Sequence, residues 1–198
     1  MRIGLVGAHR TGKTTIAQAV AQELNLTFVP SQVSAIAKSY GFDMDEHRRD
    51  DTSFFLMQKE ILQHLHDNAK YGAQEGRGRS IMDRTPLDAA AYLMADFQAN
   101  TGSPEMQDQV LQYMDSAVRM TNEAFDVVIL VPPGIDFDAQ DGKPGANLAY
   151  QEHHHLLCAG LCAELTVRNG VLERDNLDLI DRVSAVIDFA ETFDTVLG

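Results

Sequence analysis

Short apolar runs alternate along the chain with longer segments in which apolar residues recur every three or four positions. Short apolar runs are typical of buried strands, and the longer spacing is typical of helices that bury one face. The runs predict strands at 2–6, 27–29, 80–83, 126–131 and near 171–173. The spaced segments, with prolines at two helix starts, predict helices over 13–24, 31–38 and 52–70, from 85 and from 103, and over 148–168 and 177–192.

This alternation of strands and helices predicts an α/β fold. Strands that are joined by helices form a mostly parallel sheet with right-handed crossovers, and the helices then cover both faces. We therefore expect a three-layer α/β/α sandwich around a five-stranded sheet, in a single domain over 1–198. Ligands of such sheets bind beyond the carboxyl ends of the strands, so the loops after residues 6, 29, 83 and 131 are the expected site.

The loop after the first strand carries the pattern Gly-x-x-x-x-Gly-Lys-Thr, known as a P-loop. Its glycines let backbone N–H groups turn toward phosphate oxygens, and the following helix directs its positive end at the same anion. The lysine adds a charge at the outer phosphates, and the threonine hydroxyl is a ligand for Mg2+. The pattern predicts a site for ATP and Mg2+ formed by Gly7, Ala8, His9, Arg10, Thr11, Gly12, Lys13, Thr14 and Thr15.

A second polar group, Asp83-Arg84, follows the predicted strand at 80–83 and should face the same cleft. A carboxylate there can bind Mg2+ through water or accept the proton of an attacking hydroxyl, and a guanidinium can hold a phosphate. The alternative is that the pair only caps the helix that starts at Thr85. The strand-end position favours function, with Lys13, Asp83, Arg10 and Arg84 as the candidate catalytic residues and Thr14 and Asp83 as the candidate metal ligands.

The P-loop and the stretch Asp-Arg-Thr-Pro-Leu-Asp-Ala-Ala-Ala-Tyr at 83–92 together resemble the P-loop kinases that act on nucleosides and nucleotides. The chain is similar in particular to the small AAA-like kinases of bacteria and phages, which include the nicotinamide riboside kinase domain and phage deoxynucleotide kinases. The resemblance covers the first 20 residues and 81–92, is looser over 127–160 and hardly extends to 31–80. It implies a P-loop NTPase fold, a Mg2+-linked or base role for Asp83, and an acceptor-phosphate contact for Arg84.

Kinases of this group usually carry an arginine in a mobile lid, and here the candidate lid is 132–148. Its cation is Lys143, so Arg10 inside the P-loop is a substitute, as in some thymidylate kinases. The alternatives are that Arg10 points into solvent and that Lys143 is a plain surface lysine. Asn147, Tyr150 and Gln151 could reach a base or ribose, although packing explains them almost as well.

Composition narrows the partners. A net charge of −13 argues against a protein whose whole surface binds nucleic acid. No apolar run reaches the roughly 20 residues that are needed to cross a bilayer. The first strand begins at once, which leaves no room for a signal peptide, and Cys158 and Cys162 suit a reducing cytoplasm. Apolar helix faces would permit a homodimer.

Three functions follow from these features. The first is ATP-dependent transfer of phosphate to a nucleotide- or nucleoside-type acceptor, above all a (deoxy)nucleotide. The second is a phage-type kinase for a modified base in DNA, such as 5-hydroxymethyluracil. The third is an ATPase or GTPase switch without an acceptor, although a guanine-reading Asn-Lys-x-Asp is missing. We expect residues 31–80 to determine which acceptor is bound. The arginines in this region that could contact phosphate are Arg48, Arg49, Arg77 and Arg79.

Overall fold

The computed structural model of the chain describes residues 1–39, 51–96, 103–135 and 148–194. The strands are β1 (Arg2–Val6), β2 (Thr27–Val29), β3 (Ser80–Met82), β4 (Val127–Leu130) and β5 (Arg168–Val171). The helices are α1 (Lys13–Glu23), α2 (Val33–Ser39), α3 (Asp51–Glu75), α4 (Pro86–Asp96), α5 (Pro104–Ala124), α6 (Leu148–Cys162) and α7 (Leu179–Asp194). The helix starts that were predicted at Pro86 and Pro104 are confirmed.

The strands form one parallel sheet in the order β2-β3-β1-β4-β5. The central strand β1 pairs with β3 through Ile3 and Ile81, and with β4 through Ile3 and Val127. The predicted five-stranded parallel sheet is therefore confirmed. Because β1 and β3 are neighbours and run in the same direction, the P-loop and the residues after β3 leave the sheet side by side.

Side chains of the sheet alternate between two apolar layers. Ile3 and Leu5 of β1 pack with Ile16 of α1 and Val186 of α7 on one face. The opposite face carries a larger layer that is built from Val6 and Leu130 and from helices α3 to α6, including Leu65, Leu87, Ala117 and Cys158. Helices on both faces make the three-layer sandwich that the alternation predicts.

The prediction was wrong where α6 ends. The expected helix over 148–168 stops at Cys162, and Arg168 already begins β5, so the strand expected at 171–173 lies earlier. β5 is an edge strand with the sequence Arg-Asn-Gly-Val, and its residues alternate between half-buried and exposed. It therefore lacks the apolar run by which the other strands were predicted. Its Gly170 lies under the ring of Phe189, where an added Cβ would be 2.6 Å from the ring.

Two other helix ends differ by a few residues. Helix α3 continues to Glu75 rather than Lys70, and α7 begins at Leu179 rather than Leu177. The α7 start is set by Asp178, whose carboxylate accepts from the N–H groups of Ile180 at 2.8 Å and Asp181 at 3.2 Å. Across the described parts of the chain, no helix combines the length and the apolar character that a bilayer crossing requires.

Candidate nucleotide and phosphoryl-transfer site

The P-loop backbone between β1 and α1 enters the left-handed region three times. Gly7 has a φ of 148°, Arg10 of 61° and Gly12 of 85°. Gly7 also lies against the residue that follows β4, since an added Cβ would overlap the carbonyl oxygen of Val131. Arg10 has a backbone conformation that non-glycine residues seldom adopt. Where such conformations do occur, they cluster at ligand-binding and active sites.

Lys13 lies inside this loop and is 6% exposed. Its Nζ donates to the carbonyl oxygens of Gly7, at 2.8 Å, and of Ala8, and it lies 3.3 Å from the Thr11 hydroxyl. Burial, and then the positive charge of Arg84, lower the pKa of Lys13 to about 8. The loop therefore encloses a cation that is held only by neutral oxygens, and an anion placed there would stabilise its charge.

Thr14 and Asp83 meet where β1 and β3 end. The Thr14 hydroxyl donates to Asp83 Oδ2 at 2.7 Å, and the Ser31 N–H donates to Asp83 Oδ1 at 3.0 Å. Asp83 is 7% exposed and Thr14 is exposed. Hydroxyl and carboxylate oxygens are the ligands that Mg2+ prefers, so this pair fits the metal that the P-loop pattern implies. The predicted metal ligands are thus brought together.

Asp88, on the first turn of α4, joins the P-loop to the segment after β3. Its carboxylate accepts from the N–H of Gly7 at 3.2 Å, from the N–H of Thr85 at 2.8 Å and from the Thr85 hydroxyl at 3.2 Å. The Thr85 side chain therefore donates to Asp88, whereas a capping side chain would accept from a backbone N–H of the first turn. Burial raises the pKa of Asp88, and the charges of Lys13 and Arg84 oppose that rise. Asp88 was not among the site residues expected from the sequence, although Thr-Pro-x-Asp resembles the spacing of a capping box.

Arg84 is half-buried next to these groups. Its guanidinium lies 5.3 Å from the centre of the Tyr92 ring and donates a hydrogen bond to the Tyr92 phenol. Burial works to lower the pKa of Arg84, but the interactions with Tyr92 and with the carboxylates Asp88 and Asp83 outweigh it, and the pKa is raised. Arg84 therefore remains charged and has a fixed direction.

Tyr92 in turn packs on a buried histidine of α6. The rings of Tyr92 and His154 are 4.0 Å apart, and His154 is fully buried. Burial, followed by the charges of Lys13 and Arg84, lowers the pKa of His154 to about 3, so the ring is neutral. Within the described ranges no three His, Cys, Asp or Glu side chains form a group that could hold a metal.

The first turn of α6 closes over the P-loop from the other side. Gln151 Nε2 donates to the carbonyl of His9 at 2.8 Å, and the rings of His9 and Tyr150 are 5.9 Å apart. Burial, then Lys13, Arg84 and Arg10, lower the pKa of His9. Gln151 is buried and binds backbone, which favours the packing interpretation over a contact to a base or ribose.

Comparison with known proteins decides the family. Residues 2–176 match the family model described as an AAA domain. The chain belongs to the AAA domain family. Deoxyadenosine kinase from M. mycoides with products dCMP and a flexible dCDP bound shares the fold, with a TM-score of 0.68 and 15% identity over 97% of this chain and 100% of that chain. The NadR protein in complex with NR has a TM-score of 0.68 and 17% identity over 96% of this chain and 50% of that chain. None of the curated proteins matches the sequence.

The arginines that were considered for phosphate binding in this AAA domain fall in different places. Arg77 and Arg79 precede β3 and lie at the amino ends of the strands, whereas the P-loop lies at the carboxyl ends. Arg79 Nη2 donates to the carbonyl of Leu24 at 2.9 Å. That position does not favour an acceptor contact. Arg48, Arg49, Lys143 and Asn147, with most of the candidate lid 132–148, lie outside the described residues.

Proposed function

We propose that this AAA-domain chain is an ATP-dependent kinase that transfers the γ-phosphoryl group to a nucleotide- or nucleoside-type acceptor, with a (deoxy)nucleotide as the first choice. One observation carries the proposal: the half-buried guanidinium of Arg84 directly follows Asp83, whose carboxylate is 2.7 Å from the Thr14 hydroxyl at the shared end of β1 and β3, beside buried Lys13. A hydroxyl and a carboxylate in these positions hold the metal in P-loop NTPases of every kind. The added guanidinium supplies the positive charge that transfer to an acceptor needs.

The donor side is formed by the P-loop. Its N–H groups, the amino end of α1 and Lys13 bind the phosphates of ATP, with Gly7, Ala8, His9, Arg10, Thr11, Gly12 and Thr15 as the rest of the loop. Thr14 and Asp83 would hold Mg2+, which would neutralise charge on the phosphate oxygens. Asp88 keeps the Gly7 N–H in place, so the loop and the segment after β3 are held at a constant separation.

The acceptor side is formed by Asp83 and Arg84. An oxygen of the acceptor attacks the γ-phosphorus, the bond from that phosphorus to the β–γ bridging oxygen breaks, and ADP leaves. Where the attacking oxygen is a hydroxyl, its proton would go to Asp83, directly or through a bound water, which is the alternative to the metal role of that carboxylate. A phosphate oxygen of a nucleotide attacks without such a proton transfer. Asp88 is not the acceptor, because it already accepts three hydrogen bonds. Arg84, whose direction is fixed by Tyr92, binds the acceptor or the charge on the moving phosphoryl group.

Two solved structures support the nucleoside class of acceptor. The M. mycoides kinase is described with deoxynucleotides bound, and NadR with NR. Both cover nearly all of this chain, although NadR is twice as long as the matched part. These likenesses support the choice of acceptors to be tried first.

The test is transfer of label from [γ-32P]ATP in the presence of nucleosides, deoxynucleotides, nicotinamide riboside, and DNA that contains 5-hydroxymethyluracil. We expect labelled product with a small acceptor, and none with the Lys13→Ala variant. Label that stays on the polymer would favour the modified-DNA kinase. Steady release of inorganic phosphate, unchanged by any acceptor, would contradict the kinase and favour an ATPase switch.

A further inference from the structure

Arg182, on the first turn of α7, lies directly behind the P-loop and is 1% exposed. Its Nη1 donates to the carbonyl oxygen of Thr11 at 3.0 Å, and its Nε donates to the carbonyl oxygen of Asn176 at 2.6 Å. A Cβ at Gly12 would lie 4.0 Å from Nη1. One side chain therefore ties the P-loop to the loop between β5 and α7.

Buried cations usually have a carboxylate partner and a full set of hydrogen bonds, and the guanidinium of Arg182 has neither among the described residues. Its Nη2 is buried without a hydrogen-bond partner, and among the described residues no carboxylate forms an ion pair with it. Burial lowers the pKa of Arg182. Burying an unpaired charge is unfavourable, so a nearby anion would stabilise the arrangement.

The Thr11 carbonyl determines the direction of the next N–H. In a trans peptide the C=O and the following N–H point in opposite directions. Because the Thr11 oxygen is held toward α7 by Arg182, the Gly12 N–H is turned away from α7. Gly12 stands at the amino end of α1, whose free N–H groups attract anions, so this N–H is aimed at the phosphate position.

We propose that Arg182 is a positioning residue for the phosphate site: it orients the Thr11–Gly12 peptide toward the donor's phosphates and adds a buried positive charge behind the loop. The proposal rests on the P-loop binding a polyphosphate, as in the proposed function. It concerns binding of the phosphate chain, and not the base or the acceptor.

Binding of inorganic tripolyphosphate, measured by calorimetry, tests the proposal without any base or acceptor. Arg182→Gln should weaken this binding at least tenfold, because both the charge and the fork are lost. Arg174→Gln is the matched control: it removes the same charge from the neighbouring loop between β5 and α7, but from an exposed pair with Glu152. We expect the control to bind within twofold of the wild-type chain.

Arg182→Lys keeps the charge and most of the stem, and serves if the Gln variant does not fold. It should bind tripolyphosphate at least threefold more weakly than the wild-type chain, since one ammonium cannot hold the two carbonyls as the fork does. Where both variants fold, Lys should bind better than Gln. Wild-type affinity in Arg182→Lys, or equal losses in Arg182→Gln and Arg174→Gln, would overturn the proposal.

The same experiment separates this inference from the proposed function. Suppose that Arg182→Gln loses tripolyphosphate binding and that the wild-type chain transfers no phosphate to any acceptor. This pair of results would support the role of Arg182 and refute the kinase. A wild-type chain that does not bind tripolyphosphate would refute both. A variant that is less heat-stable but binds tripolyphosphate normally would show that Arg182 only supports the fold.

Discussion

Raising the pH should weaken the binding of ATP through Lys13. In the nucleotide-free chain the pKa of Lys13 is about 8, because the side chain is buried and faces the charge of Arg84. An anion in the loop favours the charged form and raises that pKa. Above pH 8 the free chain has lost the proton that the complex needs, so binding must take one up.

The size of the effect follows from the two pKa values. If the bound ammonium returns to the ordinary pKa of about 10.4, the apparent affinity falls about tenfold between pH 7 and pH 9. That is about 1.4 kcal/mol of binding free energy. Over the same interval the proton taken up on binding rises from about 0.1 to about 0.9 per nucleotide.

Calorimetry in buffers of different ionisation enthalpy measures both quantities. Binding is a better readout than unfolding, because Cys162 has a pKa raised to about 12 by burial and changes the pH dependence of stability in the opposite sense. Lys13→Met is the control: it should bind ATP more weakly and with the same affinity at pH 7 and pH 9. Flat binding in the wild-type chain, or the same slope in Lys13→Met, would refute the reasoning.

Four substitutions test the remaining groups. Asp83→Asn should lower turnover at least about 100-fold and leave ATP affinity within several-fold, because the shape remains and the charge is lost; a loss below tenfold in a steady-state assay would make Asp83 structural. Arg10→Ala should cost on the order of 10³ in turnover and Lys143→Ala much less, since a guanidinium makes a two-pronged contact with the phosphoryl group; the reverse order would place the catalytic cation in the lid. Tyr92→Phe removes the phenol that holds Arg84 and should raise the KM for the acceptor about fivefold with the KM for ATP unchanged; equal changes in both would contradict a role on the acceptor side.

The P-loop and Asp83 could both be predicted from the sequence, because each is marked by a local pattern of residues. Glycine at positions 7 and 12 is required by backbone angles, and Lys13-Thr14 follows at a fixed distance. Asp83 could be assigned to the same site because parallel strands bring their carboxyl ends to one edge, and the order β3-β1 makes them neighbours. Thr14 and Asp83 were expected from the sequence as two ligands of one metal, whereas the direct hydrogen bond between them is seen only in the fold.

Asp88 and Arg182 could not be found in the same way. Their partners are 81 and 171 residues away along the chain, and both bind backbone groups, which leave no mark on the sequence. An arginine on the first turn of a helix reads as a solvated residue, and only the fold shows that it is 1% exposed. The edge strand β5 was displaced for a related reason, since its only packing signal is the absence of a side chain at Gly170.

The acidity of the chain and the cations of its site are compatible because they act over different distances. At a net charge of −13 the molecule as a whole repels a nucleotide, but salt screens that repulsion beyond roughly 8–10 Å. Lys13 and Arg84 at the P-loop, and Arg182 behind it, are all at least half buried, so their charges are screened much less. Two carboxylates oppose them, and of these Asp88 is occupied by donors from the P-loop and from Thr85. The local balance therefore favours an anion at the P-loop, and a nucleotide brought there by diffusion meets the three cations only after the surrounding negative charge has been screened.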